Sequence, residues 1–119
     1  MKVYLDHAAA TPLEPIVIKE IEKTYRFFGN PSSLHSEGER AKKLIDDSQK
    51  KIAGILKTKP DEIIFTSSGT ESVNLALFGV ARANKKIGKH IVTSNIEHLA
   101  VLNSCEKLEK EGFNITYLR

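Results

Sequence analysis

The sequence predicts an α/β fold built around parallel strands, and the order of its apolar runs carries that expectation. From Ile63 onward, short β-branched or aromatic runs alternate with longer amphipathic stretches: Ile63-Ile64-Phe65, then 70–83, then 90–94, then 97–111, then Phe113, Ile115 and Tyr117 alternating with polar residues. Short runs of that composition, bounded by turn signals, read as strands, and the longer stretches as helices. Strands separated by helices of this length form right-handed βαβ units, whose strands are parallel. Upstream of Ile63 the apolar periodicity is helical.

Each element has a local reason. Residues 3–5 are a short apolar stretch closed by Asp6 and the small-residue run HAAATP, with Pro12 and Pro15 close behind. Pro15 suits a first helical turn, where its missing N–H costs nothing. Ile18, Ile21, Tyr25 and Phe28 recur at helical spacing until Gly29, and GNPSSLHSEG is loop. A second helix is expected from near Glu39 to Lys57, with Ala41, Leu44, Ile45, Ile52 and Leu56 on one face, broken by Lys59-Pro60-Asp61. Ile63-Ile64-Phe65 follows as a buried strand. Residues 70–83 form a helix that is apolar on nearly every side and belongs under a covering layer. His90 to Ser94 is the next strand, Glu97 to Glu111 the next helix, and Gly112 its stop. The chain has no internal repeat, no low-complexity tract and no interdomain linker.

Composition narrows the function classes. At 119 residues, 40% hydrophobic and 28% charged, the chain has the size and make-up of a soluble globular domain. The net charge of +3 is mild, and EKEGF and DDSQKK interleave the two signs as a solvated helix face does. No aromatic-basic stripe accompanies the charge, so nucleic-acid binding is not expected. A single cysteine, Cys105, rules out an internal disulfide framework and points to a reducing compartment. The start MKVYLDH is not expected to be a signal peptide, and no apolar run approaches the ~20 residues that span a bilayer. A cytoplasmic protein without membrane partners is the expectation.

In open parallel sheets, ligands bind outside the carboxyl ends of the strands. Two segments occupy that edge: SSGTES at 67–72 and SNIEH at 94–98. The first suits an anion. Gly69 lets backbone come close, Thr70 offers a hydroxyl, and the helix start presents free N–H groups and the positive dipole end. The alternative is that Ser68 or Thr70 merely caps the helix. Neither GxGxxG nor GxxxxGK[ST] is present, so dinucleotide and P-loop readings fail. His98 follows a strand end on this edge, where an imidazole can stack on a flat ring or move a proton; the other reading is structural. His7, His35 and His90 lack metal-ligand company. Cys105 shares a helix face with Val101, Leu102 and Leu108 and reads as a packed core residue.

Four blocks together, YLDHAAATP (4–12), FGNPSSLHSEG (28–38), EIIFTSSGTESVNLA (62–76) and GKHIVTSNIEHLAVL (88–102), resemble the N-terminal blocks of cysteine desulfurases. These are class V aminotransferase relatives with the fold-type I, aspartate aminotransferase-like architecture of pyridoxal-phosphate (PLP) enzymes. The resemblance is collinear and covers essentially the whole chain.

It implies that residues 1–119 are an N-terminal segment plus an incomplete large, PLP-binding domain. Gly69 and Thr70 stand at the family's phosphate-binding positions. His98 stands at that of the histidine that stacks over the pyridine ring and assists proton transfer. The implied reaction converts L-cysteine to L-alanine and passes the sulfur on as a persulfide, for iron-sulfur cluster or thio-cofactor synthesis. The implied partners are a second copy in a homodimer, a sulfur-acceptor protein, and the remaining part of the chain or a complementary one. The family's Schiff-base lysine, the acidic partner of the pyridine nitrogen and the mobile catalytic cysteine come after the strand corresponding to ITYL. No lysine here sits in that lysine's motif, and Cys105 is not at the catalytic cysteine's position. These 119 residues alone are therefore expected to be inactive. A related class V enzyme acting on selenocysteine, and a non-catalytic binding module, are the other readings.

Overall fold

Pro15 opens the first helix, α1 (Pro15–Thr24), at the position where a missing N–H is no loss. The computed structural model describes residues 3–119. Met1 and Lys2, the first residues of the stretch read as lacking a signal peptide, lie outside them. The helix stops a turn before Phe28, where the apolar spacing had carried it. Thr24 Oγ1 donates to the Ile21 carbonyl at 2.7 Å, and the Phe27 N–H donates to the Thr24 carbonyl at 2.9 Å, which turns the chain.

The second helix, α2 (Ser36–Leu56), begins earlier than expected because His35 caps it, its Nδ1 accepting from the Gly38 N–H at 3.3 Å. The GNPSS loop folds tightly onto this start. A Cβ on Gly29 would run into the Glu37 carbonyl, and one on Gly38 into the carbonyls of Ser33 and Asn30. The helix ends with Lys57 in the left-handed region (φ 54°), and a short 3₁₀ turn, Pro60–Glu62, follows. The Glu62 carboxylate accepts from the Lys59 N–H and from Thr58 Oγ1.

The expected strand at Ile63-Ile64-Phe65 does not form. Ile63 is extended (φ −96°, ψ 118°), but among the described residues no strand lies beside it, and Ile64 and Phe65 are 66% and 50% exposed. A strand exists only through its hydrogen-bonded neighbour, so the run stays unpaired. One side-chain tie holds it: Gln49 Nε2 donates to the Ile63 carbonyl at 2.9 Å.

From there the order is α3 (Gly69–Ala83), β1 (His90–Ser94), α4 (Leu99–Lys110) and β2 (Asn114–Leu118). The two strands pair in parallel, in register from His90 opposite Asn114 to Ser94 opposite Leu118. This bears out the α/β class and the parallel pairing of strands joined through a helix. The core of this half is Ala81, Leu108 and Phe113, with Leu77, Phe78, Ile91 and Ile115 packed against it. Cys105 is fully buried, as its helix face predicts.

The helices α3 and α4 run side by side in the same direction. Ser104 Oγ donates to Asn74 Oδ1 at 3.2 Å near their starts, and Arg82 pairs with Glu111 at 2.6 Å near their ends. Their N-termini are therefore level. Both lie at the edge where β1 and β2 finish, a junction closed by the Asn95 N–H donating to the Leu118 carbonyl at 2.9 Å. The covering expected around α3 is present on one side only: Ala81 is buried, while Leu75 and Val80 are 49% and 64% exposed. The chain divides into two units, Met1–Ile64 and Phe65–Arg119.

Candidate functional site

Every residue of the predicted ligand edge falls in the second unit. Ser68, in extended backbone (φ −163°, ψ 161°), caps α3 by accepting the Glu71 N–H on its Oγ at 3.2 Å, and its carbonyl accepts the Ser72 N–H at 3.0 Å. Of the two capping candidates, Ser68 takes the part. That arrangement leaves the N–H groups of Gly69 and Thr70, which no preceding helical carbonyl can reach. Thr70 is exposed, and its hydroxyl has no partner among the described residues. A Cβ placed on Gly69 meets no protein atom within 4 Å, and Gly69 and Thr70 are both exposed.

Glu71 is a residue that the sequence reading passed over. Its Oε2 accepts from the Ser67 N–H at 2.7 Å and from Ser67 Oγ at 2.6 Å. The Ser67 hydroxyl and then its N–H hold the Glu71 carboxyl below the ordinary carboxylate range. A second bond, Thr66 Oγ1 to Ser72 Oγ at 2.6 Å, closes the same turn. The signal was present as Ser68-Gly69-Thr70-Glu71, the S-x-x-E spacing of a capping box. Here the carboxylate reaches one residue further back than such a box requires.

His98 caps α4. Its Nδ1 accepts the Ala100 N–H at 3.0 Å, the ring is exposed, and Ser94 Oγ closes the preceding turn on Glu97 Oε1 at 3.0 Å. Because Nδ1 accepts a hydrogen bond from the backbone, the N–H of the neutral imidazole lies on Nε2. Thr70 and Ala100 line one groove of about 290 Å³ between α3 and α4, with Asn74, Ser104 and Lys107 deeper along it. Thr70 and His98 thus start neighbouring helices at one edge, although His98 does not itself line the groove.

The remaining candidates have structural occupations. His7 packs edge-on to Tyr4, His35 caps α2, and His90 Nε2 lies 2.8 Å from Thr116 Oγ1. Among the described residues no group of His, Cys, Asp and Glu is placed to hold a metal ion. Burial, and then the nearby Glu109 charge, push the Cys105 thiol up, away from the thiolate that a nucleophile needs. No helix among the described residues is long and apolar enough to cross a membrane.

The family description "Aminotransferase class-V" matches residues 3–119. The chain belongs to that family. The cysteine desulfurase IscS of Dictyoglomus turgidum is 52% identical over 118 residues, 98% of this chain and 30% of the relative. That of Shewanella woodyi is 45% identical over 122 residues, 99% of this chain and 30% of the relative. Among solved structures, a NifS-like protein superposes with a TM-score of 0.90 at 39% identity, covering 99% of this chain and 33% of that one. SspA in complex with cysteine superposes at 0.82 with 41% identity, covering 93% and 32%. The chain thus spans about 30% of the length of the curated relatives it matches.

Proposed function

We propose that the edge formed by the starts of α3 and α4 is the phosphate end and the ring-side histidine of a PLP site in a cysteine desulfurase. In that reading residues 1–119 are an N-terminal segment plus part of the large domain, and the enzyme turns L-cysteine into L-alanine. The sulfur leaves as an enzyme-bound persulfide for an acceptor protein, and the enzyme works in the cytoplasm as a homodimer. The similarity to IscS enzymes and to a structure holding cysteine supports the substrate class.

The observation that carries the reading is the pair of open N–H groups at Gly69 and Thr70, level with His98. The residues fit a phosphate monoester. Two backbone donors, the Thr70 hydroxyl and the positive end of a helix dipole stand together at an exposed helix start. PLP, when bound, supplies the electron sink for bond changes at the substrate's α-carbon. Gly69 and Thr70 hold the phosphate and so fix where the ring lies. His98, anchored through Nδ1, offers Nε2 to stack beside the ring and to hold or pass a proton.

Thr70→Ala tests the reading in the whole protein that carries these residues. It removes one hydrogen bond to a charged phosphate, worth about 1.5–3 kcal/mol, so PLP affinity should fall by roughly one to two decades. Unchanged affinity returns Thr70 to a purely helical role.

A further inference from the structure

We propose that Glu71 is a positioning residue for the phosphate cup, acting by clamping the strand-to-helix turn instead of touching the ligand. The inference rests on the phosphate reading of Gly69 and Thr70 and deepens it. One carboxylate oxygen receives both donors of Ser67, at 2.7 and 2.6 Å, while the N–H of the same Glu71 goes to Ser68 Oγ. Residues 67, 68 and 71 are thereby tied into one ring of hydrogen bonds, so the peptide entering α3 cannot rotate without breaking two charge-assisted bonds. The clamp also narrows which donors remain. Ser67 N–H, Ser67 Oγ–H and Glu71 N–H are all spent on the turn, while the N–H groups of Ser68, Gly69 and Thr70 and the Ser68 and Thr70 hydroxyls have no acceptor among the described residues.

A carboxylate beside a phosphate has a second, opposing effect, because like charges repel. The two effects give opposite signs on substitution, and that makes the proposal testable. If the charge dominated, its removal would tighten phosphate binding. If the clamp dominates, removal loosens the donors and weakens it.

The experiment compares equilibrium binding of PLP and of pyridoxal, which lacks the phosphate, to the cofactor-free whole protein, with a thermal melt of each cofactor-free variant. For E71A, PLP affinity should fall about tenfold or more, on the order of one charged hydrogen bond, with pyridoxal affinity nearly unchanged. E71Q keeps an oxygen that accepts the Ser67 N–H and should stay within about threefold of wild type for PLP. A purely structural role would lower the cofactor-free melt and both affinities together, which overturns the proposal. So does an E71A protein whose PLP-to-pyridoxal ratio is unchanged or raised. If wild type itself binds PLP no better than pyridoxal, the phosphate reading falls first and Glu71's part goes with it. Should E71A fail to fold, S67A decides: a lowered ratio supports the clamp, and a wild-type ratio overturns it.

Discussion

The Nδ1 of His98 accepts the Ala100 N–H at 3.0 Å, which ties two roles to one side chain. As an N-cap it satisfies a donor at the start of α4, a contribution of about 1 kcal/mol that alanine forfeits and asparagine retains. In the proposed site it is also the ring-side group. Two substitutions separate these roles in the whole protein. His98→Ala should lose both stability and turnover, whereas His98→Asn should melt close to wild type yet turn over as poorly as the alanine variant. Full turnover in His98→Asn would reduce His98 to its capping role. Gly69 is also placed by what surrounds it. Its φ is not positive and a Cβ there meets nothing of the protein, so packing within these residues gives no reason for glycine. In the proposed site, close approach of a phosphate to its N–H supplies that reason.

Between elements, the alignment of α3 with α4 sets where the site's two halves stand. Asn74 with Ser104 and Arg82 with Glu111 are spaced along the same two helices, so neither helix can slide without breaking both contacts. Arg82 gives Glu111 two bonds, Nε to Oε2 at 3.0 Å and Nη2 to Oε1 at 2.6 Å, and its guanidinium also lies 4.6 Å from the Phe78 ring centre. These bonds from Arg82 hold the Glu111 carboxyl below its ordinary range. A carboxylate whose folded value is depressed stabilises fully above its unfolded value, and that contribution disappears as pH falls through the folded one. Acidification through the carboxylate range should therefore release the end of α3 from α4. Glu111→Gln should be less stable near neutrality and show a flatter loss on the acid side. Equal acid limbs in melts of the two proteins would mean that the pair contributes nothing measurable, as exposed pairs often do.

For the molecule as a whole, the apolar surface is large for its two-stranded sheet. Ile64, Phe65, Leu75 and Val80 are substantially exposed, Gly79 in α3 has open space where a Cβ would sit, and among the described residues both strands carry an unpaired edge. Fully burying a Leu, Ile or Val side chain contributes roughly 1.5–3 kcal/mol, so several left wet subtract an amount comparable with a domain's net stability of about 5–15 kcal/mol. Open edges also invite pairing with other chains. A polypeptide of these 119 residues alone should be marginally stable or self-associating. It should gain a cooperative melt when a complementary polypeptide supplies further strands. Sedimentation and thermal melting with and without that polypeptide check this. A monodisperse monomer with a sharp high-temperature melt, unimproved by the partner, contradicts it and favours the binding-module reading.

The alternation of apolar runs and caps was enough to read α3, β1, α4 and β2 nearly residue by residue, because each is shaped by local signals: Ser68 and Gly69 at one start, Gly112 at one stop, period-2 burial in the last strand. Topology rules then place Gly69, Thr70 and His98 at one edge. Three things were not legible. The run Ile63-Ile64-Phe65 has every local mark of a strand, but strandedness belongs to a pair, and no described residue pairs with it. The side alignment of α3 and α4 depends on contacts some thirty positions apart, such as Asn74 with Ser104, which no periodicity encodes. The reach of Glu71 past its own cap to Ser67 was hidden for a similar reason: spacing names the donor and acceptor, while only the folded turn decides which donor the carboxylate finds.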